Sequence, residues 1–230
     1  MPTPRLRRSK LSQSVCTRLS KAIISGEFEP GMRISEPLLS SRLGVSRAPI
    51  REALIELQVR GLVVFDPTGH TRIPVLEPKD VEEIYAVRLM IDPVAASLAA
   101  QHAKADTFKS LEAIIAATKL AKTLADVSRL DTEFHDRIIR ATGNRRLLLC
   151  WNVLRDQVGL WLTQMHLRHQ SVTRRTKQLT VEAHQMLLDL IRSGDSKKAS
   201  DEARRHVADW IKLMPSVPAT ETGDILLDPP

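Results

Sequence analysis

Between Ser35 and Gly61 two helical patterns follow one another with almost no chain between them. Leu38, Leu39 and Leu43 share a face of the first, and Ile50, Leu54 and Leu57 share a face of the second. Ser35 is placed to cap the first helix, with Glu36 and Pro37 in its opening turn. Gly44 ends it as a left-handed cap, Ser46 caps the second, and Pro49 is tolerated in that helix's first turn. Two helices joined so tightly cross steeply and bury their apolar faces in one small core.

The flanking sequence supplies the rest of that core. Leu11, Val15, Leu19 and Ile23 recur at helical spacing from Lys10 to Ser25, and "GEFEPG" at 26–31 stops the pattern. After Gly61, "LVVF" (62–65), "DPTGH" (66–70) and "TRIPV" (71–75) read as strand, turn and strand. Three helices followed by a β-hairpin predict a winged helix-turn-helix.

With Ile50, Leu54 and Leu57 turned inward, Arg47 and Arg51 lie on the open side of the third helix. An arginine at that place reads guanine bidentately in a major groove, and Ser46 with the helix N-terminus holds a phosphate. Arg33, Arg42 and Arg72 are candidates for phosphate contacts, and Gly69 and His70 at the wing tip for the minor groove. The plain alternative for each is a solvated side chain or an ion pair, with Glu52 or Glu56 for the two arginines. Charge distribution favours the nucleic-acid reading. Residues 1–75 hold twelve Lys/Arg against six acids, so they carry an excess of six out of the chain's +7.

"LEPKD" (76–80) reads as a linker. Beyond it the pattern is helical throughout, at about 79–92, 93–103, 107–123, 125–142, 145–167, 175–192 and 196–213, with Pro93 marking a break. The expected fold is mainly α: a basic N-terminal arm (1–10), a winged helix-turn-helix (11–75), a linker (76–80), an all-α bundle (81–214) and a disordered tail (215–230). Aromatics at 3% of an aliphatic-rich chain favour helix over sheet. No apolar run reaches the roughly eighteen residues of a membrane span, no apolar stretch follows the basic N-terminus, and Cys16 and Cys150 have no CxxC spacing. A reduced cytoplasmic protein is expected.

The bundle carries a second constellation. Asp131 and His135 stand at i, i+4 on one helix face. His184 precedes Gly194 by ten residues and His206 follows it by twelve, about 15 and 18 Å from that turn along an antiparallel pair. Asp195 is placed to cap the second arm of the pair. Asp131 and His135 lie twelve and eight residues before Gly143, so one carboxylate and three imidazoles reach a similar level. A His₃Asp set suits Zn²⁺, Ni²⁺ or Mn²⁺. The alternative is four unrelated polar residues on solvated faces, which is the reading for His70, His102, His166 and His169. A metal-dependent enzyme is a rival, but no nucleophile elbow, phosphate loop or general base accompanies the four residues.

Residues 11–75 resemble the winged-helix domain of GntR-family transcription regulators through "AIISGEFEPGMRISEPLLSSRLGVSRAPIREALIELQVRGLV" (22–63). Residues 79–213 resemble the FadR C-terminal domain (FCD) branch through "VRLMIDPVAASLAA", "DTEFHDRIIRATGN" and "HQMLLDLIRSGDSKKASDEARRH". The resemblance implies a homodimer on a palindromic operator of double-stranded DNA. It also implies a metal held by Asp131, His135, His184 and His206, beside a pocket for a small organic acid or sugar acid. Arg88 is then a carboxylate clamp, its alternative being a surface ion pair. Such regulators are mostly repressors released by their effector; a regulator for which the cation itself is the signal is the alternative, as is a purely structural metal. The chain departs from the family at Pro37, where some members carry a basic residue, at Ala183 where Glu is frequent, and at Asp92 where Glu often follows the arginine.

Overall fold

The computed structural model describes the backbone of residues 4–170 and 175–212 and the side chains of 10–166 and 175–209. Helix α1 (Pro4–Ile24) starts within the segment expected to be an arm, then buries Val15, Cys16, Leu19 and Ile23. Strand β1 (Arg33–Ile34) leads to helix α2 (Glu36–Leu43), whose N-cap Ser35 accepts from the Leu38 amide at 3.4 Å. Gly44 then takes φ 64°, the left-handed conformation that a residue with a Cβ rarely adopts. Helix α3 (Arg47–Val59) follows, with Ile50, Ala53, Leu54 and Leu57 at 0% exposure. Each large aliphatic buried this way stabilises by about 1.5–3 kcal/mol, which fixes the rotation of α3 and turns its opposite face outward.

The wing is smaller than the apolar runs predict. Strands β2 (Val64–Phe65) and β3 (Thr71–Arg72) pair antiparallel, and β1 joins the far side of β3 in the order β1-β3-β2. The third strand is absent from the sequence expectation because two residues carry no period. Ile34 and Thr71 face each other inward, and Arg33 stands opposite Arg72.

Helix α4 (Pro78–His102) runs unbroken through Pro93, against the expected break. Proline inside a helix removes a backbone bond and costs about 3 kcal/mol. Ile84, Tyr85, Ile91, Ala95, Ala96 and Ala99 are buried on both sides of it, and that burial outweighs the loss. Helices α5 (Ala105–Leu120), α6 (Leu124–Ala141), α7 (Arg145–Gln170), α8 (Thr176–Arg192) and α9 (Ser196–Lys212) complete the bundle. Asp195 accepts from the Lys198 amide at 3.0 Å and so caps α9. Among the described residues no helix is long and apolar enough to cross a membrane, and both cysteines are free. The expected tail, 215–230, lies outside the described residues.

The two units share α7. Val158, Trp161, Leu162 and Met165 belong to the bundle core, whereas Leu160 belongs to the core of the N-terminal unit. Gly159 lets α1 approach: a Cβ there would stand 3.0 Å from the Ile24 side chain. Thr163 donates to the Ile24 carbonyl at 2.6 Å and Gln164 to that of Pro74 at 3.2 Å. Arg60, at the C-cap of α3, sends Nε to Asp156 on α7 at 2.6 Å, with Nη1 and Nη2 on Cys16 and Ser20. Asp156→Ala takes the buried carboxylate from a half-buried guanidinium, leaving it Cys16, Ser20 and the more distant Glu56, and costs about 1–3 kcal/mol. Chemical denaturation should register this as a lower midpoint, and an unchanged midpoint contradicts the bracing role.

Candidate functional site

Two groups of side chains stand out, one in each unit. On α3, Ser46 is the N-cap with an extended backbone (φ −67°, ψ 164°), yet its hydroxyl makes no capping bond, contrary to expectation. Arg47 and Arg51 are exposed, and among the described residues neither they nor the exposed Arg33 and Arg42 form an ion pair. Burying four cations without partners is expensive, and leaving them in water costs nothing. A polyanion is the ligand such a face suits.

The wing residues behave differently. The carboxylate of Asp66 accepts from the Thr68 hydroxyl at 2.6 Å, the Thr68 amide at 3.0 Å and the His70 amide at 2.9 Å, and Arg72 reaches it at 3.0 Å. These bonds, that from the Thr68 hydroxyl first, hold its pKa far below the ordinary carboxylate value. Nδ1 of His70 sits 2.7 Å from the same hydroxyl. His70 and Arg72 are therefore tied into the hairpin, and Gly69, at φ 82° with open space around it, forms the tip. Asp66, which staples the wing, has the sequence signature of an Asx turn, Asp-Pro-Thr-Gly.

The bundle brings His135, His184 and His206 together from α6, α8 and α9, with Asp131 beside the first two. Ligand nitrogens of the three histidines lie within 4.8 Å of one another. Nε2 of His206 is 3.3 Å from Nε2 of His135, and an oxygen of Asp131 lies 3.5 Å from His135 and 3.9 Å from His184. Two imidazoles on one zinc at about 2.1 Å stand roughly 3.4 Å apart at the tetrahedral angle, so the spacing suits an ion. Phe134 stacks on His184 at 4.0 Å between ring centroids and fixes its plane. All four residues are buried.

Electrostatics agrees with this donor set. Burial first, then the Arg88 cation and the neighbouring imidazoles, push His135 and His184 well below the usual histidine value, and burial with Arg88 takes His206 down to about 3. These shifts favour the neutral form, which a ligand needs. Burial raises Asp131 to about 7 although Arg88 opposes it. Among the described residues, both Asp131 oxygens, both His184 nitrogens and Nδ1 of His206 have no hydrogen-bond partner. Each such buried atom costs about 1–3 kcal/mol unless something satisfies it, and a divalent cation satisfies several at once.

Arg88 is no surface residue. It is 1% exposed, with Nε 2.9 Å and Nη2 2.7 Å from Asp92 and Nη2 also 3.1 Å from Nε2 of His135. A lone pair given to a metal is no longer available to that guanidinium, so loading His135 frees Nη2 for another acceptor. Asp92, noted in the sequence only as a departure, is the residue that aims Arg88. His166 corrects its surface reading: it is fully buried, with Nδ1 2.7 Å from the Ser128 hydroxyl. Its signal was its place four residues after Leu162 on the buried stripe of α7. His102 is exposed as expected, and the side chain of His169 lies outside the described residues.

Comparison with known proteins gives concordant matches in both halves. Residues 11–73 match the family described as bacterial regulatory proteins, gntR family, and residues 83–209 match the FCD domain. The chain is 35% identical over 134 residues to an uncharacterized HTH-type transcriptional regulator of Bacillus subtilis, YdhC, covering 56% of the chain and 60% of that protein. It is 26% identical over 213 residues to a probable D-xylose utilization operon transcriptional repressor of Paenarthrobacter nicotinovorans, covering 90% of each. The solved structure of Escherichia coli McbR/YncC superposes with a TM-score of 0.76 at 19% identity, covering 88% of the chain and 96% of that structure, a likeness of fold.

Proposed function

The chain belongs to the GntR family of bacterial transcription regulators, with a C-terminal FCD domain, and on that premise we propose that a small carboxylate bound beside a divalent metal controls its grip on an operator. It is a regulator rather than an enzyme, as both family matches and the relatives indicate. The observation that carries the proposal is the buried cluster of Asp131, His135, His184 and His206 with Arg88 at its edge, in the unit whose helix α7 is shared with the DNA-binding core.

In this reading two protomers set two copies of α3 in successive major grooves of a palindromic site. Arg47 and Arg51 read base edges, while Ser46, Arg33 and Arg42 hold phosphates. Gly69 and His70 form the wing tip over the minor groove. Asp131, His135, His184 and His206 hold the metal, with Zn²⁺, Ni²⁺ and Mn²⁺ all suited to the donor set. The metal supplies a Lewis-acidic anchor for an acid group. Arg88, aimed by Asp92, pairs with the carboxylate and fixes its orientation.

Operator binding and acid binding are then linked reciprocally: an acid that prefers one spacing of the dimer shifts DNA affinity by its own differential affinity. We assign the sign of repression by analogy with the repressor relative, with the acid as the ligand that relieves it. The test is thermal stability of metal-loaded and chelator-stripped protein against a panel of small organic and sugar acids. One acid raising the midpoint only in the loaded protein is the expected result. Stabilisation by metal alone, with no acid adding to it, defeats the acid-effector reading.

A further inference from the structure

The metal-bearing level is not the only polar layer inside the bundle. Arg88 and Asp92 of α4 meet His135 of α6, and Ala95, Ala96, Ile138 and Ile139 line a small cavity one turn further along both helices, so α4 and α6 run in one direction, while the short connection at 121–123 turns α5 back against α6. Helix α8 runs antiparallel to α5: Lys177 at its start reaches the Ala121 carbonyl at 3.2 Å, and Arg192 at its end reaches Glu112 at 2.6 Å. Hence α4, α6 and α8 are parallel, and a step toward their N-termini moves in one direction on all three.

One turn in that direction from Arg88, Asp131 and His184 come Tyr85, Ser128 and Thr180. Helix α7 adds His166, bonded to Ser128, and Trp161, whose ring meets that of Tyr85 edge-on at 4.8 Å. These five side chains are at most 1% exposed. Tyr85 also lies within electrostatic reach of both Arg88 and Asp131. Ser128 and Thr180 are satisfied by backbone carbonyls, at 3.0 Å each. Among the described residues, the Tyr85 hydroxyl and the Trp161 indole nitrogen have no hydrogen-bond partner. Leaving two such groups unpaired in a core costs about 1–3 kcal/mol apiece, whereas Phe at either position has no polar atom to satisfy.

We propose that this layer is the selective half of the effector site, in which Tyr85 and Trp161 donate hydrogen bonds to an oxygen at the far end of a hydroxylated acid. The inference rests on the acid-binding reading above and narrows it to a ligand class. An indole nitrogen only donates, so the group it meets is an acceptor oxygen. One helical turn, about 5.4 Å, separates this layer from the metal-bearing one. The ligand is therefore an acid whose chain is a few carbons long and carries a hydroxyl or second oxygen toward its other end. A plain fatty acid of equal length leaves both donors unpaired, and a site built for a hydroxyl rejects the analogue that lacks it.

Isothermal titration of the zinc-loaded full chain with matched acids tests this: gluconate against hexanoate, and 4-hydroxybutyrate against butyrate. At least one hydroxylated acid should bind about tenfold or more tightly than its plain partner. Tyr85→Phe and Trp161→Phe should each weaken that acid about 3- to 10-fold, the range of one buried hydrogen bond, with affinity for the plain acid and zinc stoichiometry unchanged. Should Trp161→Phe fail to fold, Tyr85→Phe decides alone. Equal binding of both members of each pair, or variants that leave the ratio untouched, overturns the selective layer while the acid-effector reading stands. Wild-type protein that binds none of the four acids overturns this proposal, and the panel of acids above then decides the broader reading.

Discussion

Arg47→Ala combined with Arg51→Ala is expected to abolish sequence-specific DNA binding while leaving the protein folded. Both side chains are exposed and, among the described residues, neither forms an ion pair, so truncating them leaves the interior undisturbed. Their helix is held from its other face by Ile50, Ala53, Leu54 and Leu57. An arginine that reads a guanine is worth about 1–3 kcal/mol, and in the proposed dimer the double variant removes four of them. Specific affinity should therefore fall by at least about a hundredfold, toward the level of non-specific binding. Arg42→Ala provides the contrast: a protein with one fewer cation on the phosphates binds all sequences more weakly alike, and its salt dependence flattens. Fluorescence anisotropy on a duplex selected from a random pool, repeated at several salt concentrations, separates the two behaviours. Wild-type affinity in the double variant would remove α3 as the reading element.

His184→Ala is expected to produce the second large effect. His184 is fully buried, stacks on Phe134, and faces both Asp131 and the other two imidazoles. Without it three donors remain, and the buried atoms left without partners lose the proposed cation. A metal present at about a thousand times its dissociation constant stabilises by about 4 kcal/mol. At a few degrees per kcal/mol, stripping wild-type protein should lower its melting point by on the order of 10 °C. His184→Ala should melt at or below the stripped value and gain little from added zinc. Wild-type zinc content in the variant, measured by elemental analysis after gel filtration, contradicts the assignment.

The helix-turn-helix was legible because it is local: Ser35, Gly44 and Gly61 punctuate helices whose apolar residues lie within one or two turns. The buried cluster was legible for a related reason. Helical rise converts the distances of His184 and His206 from Gly194 into levels, and Asp131 and His135 share a face by spacing alone. What escaped depends on packing between residues distant in sequence. Pro93 reads as a break until the burial of the alanines around it is known, and His166 reads as surface until α7 is seen to have two buried sides. The double role of α7 needed Leu160 and Trp161 to be placed in different cores. Tyr85 carries no motif, and its hydroxyl stands out only because the fold buries it with no partner among the described residues.

Acid control of DNA binding is tested most directly by measuring operator affinity as acid is titrated onto metal-loaded and chelator-stripped protein. An acid which raises the melting point should also shift DNA affinity by about 5- to 150-fold in the loaded protein, the usual range of allosteric coupling. No shift is expected in the stripped protein or in His184→Ala. An operator affinity that no acid alters, or that an acid alters equally without the metal, would contradict acid control through the metal.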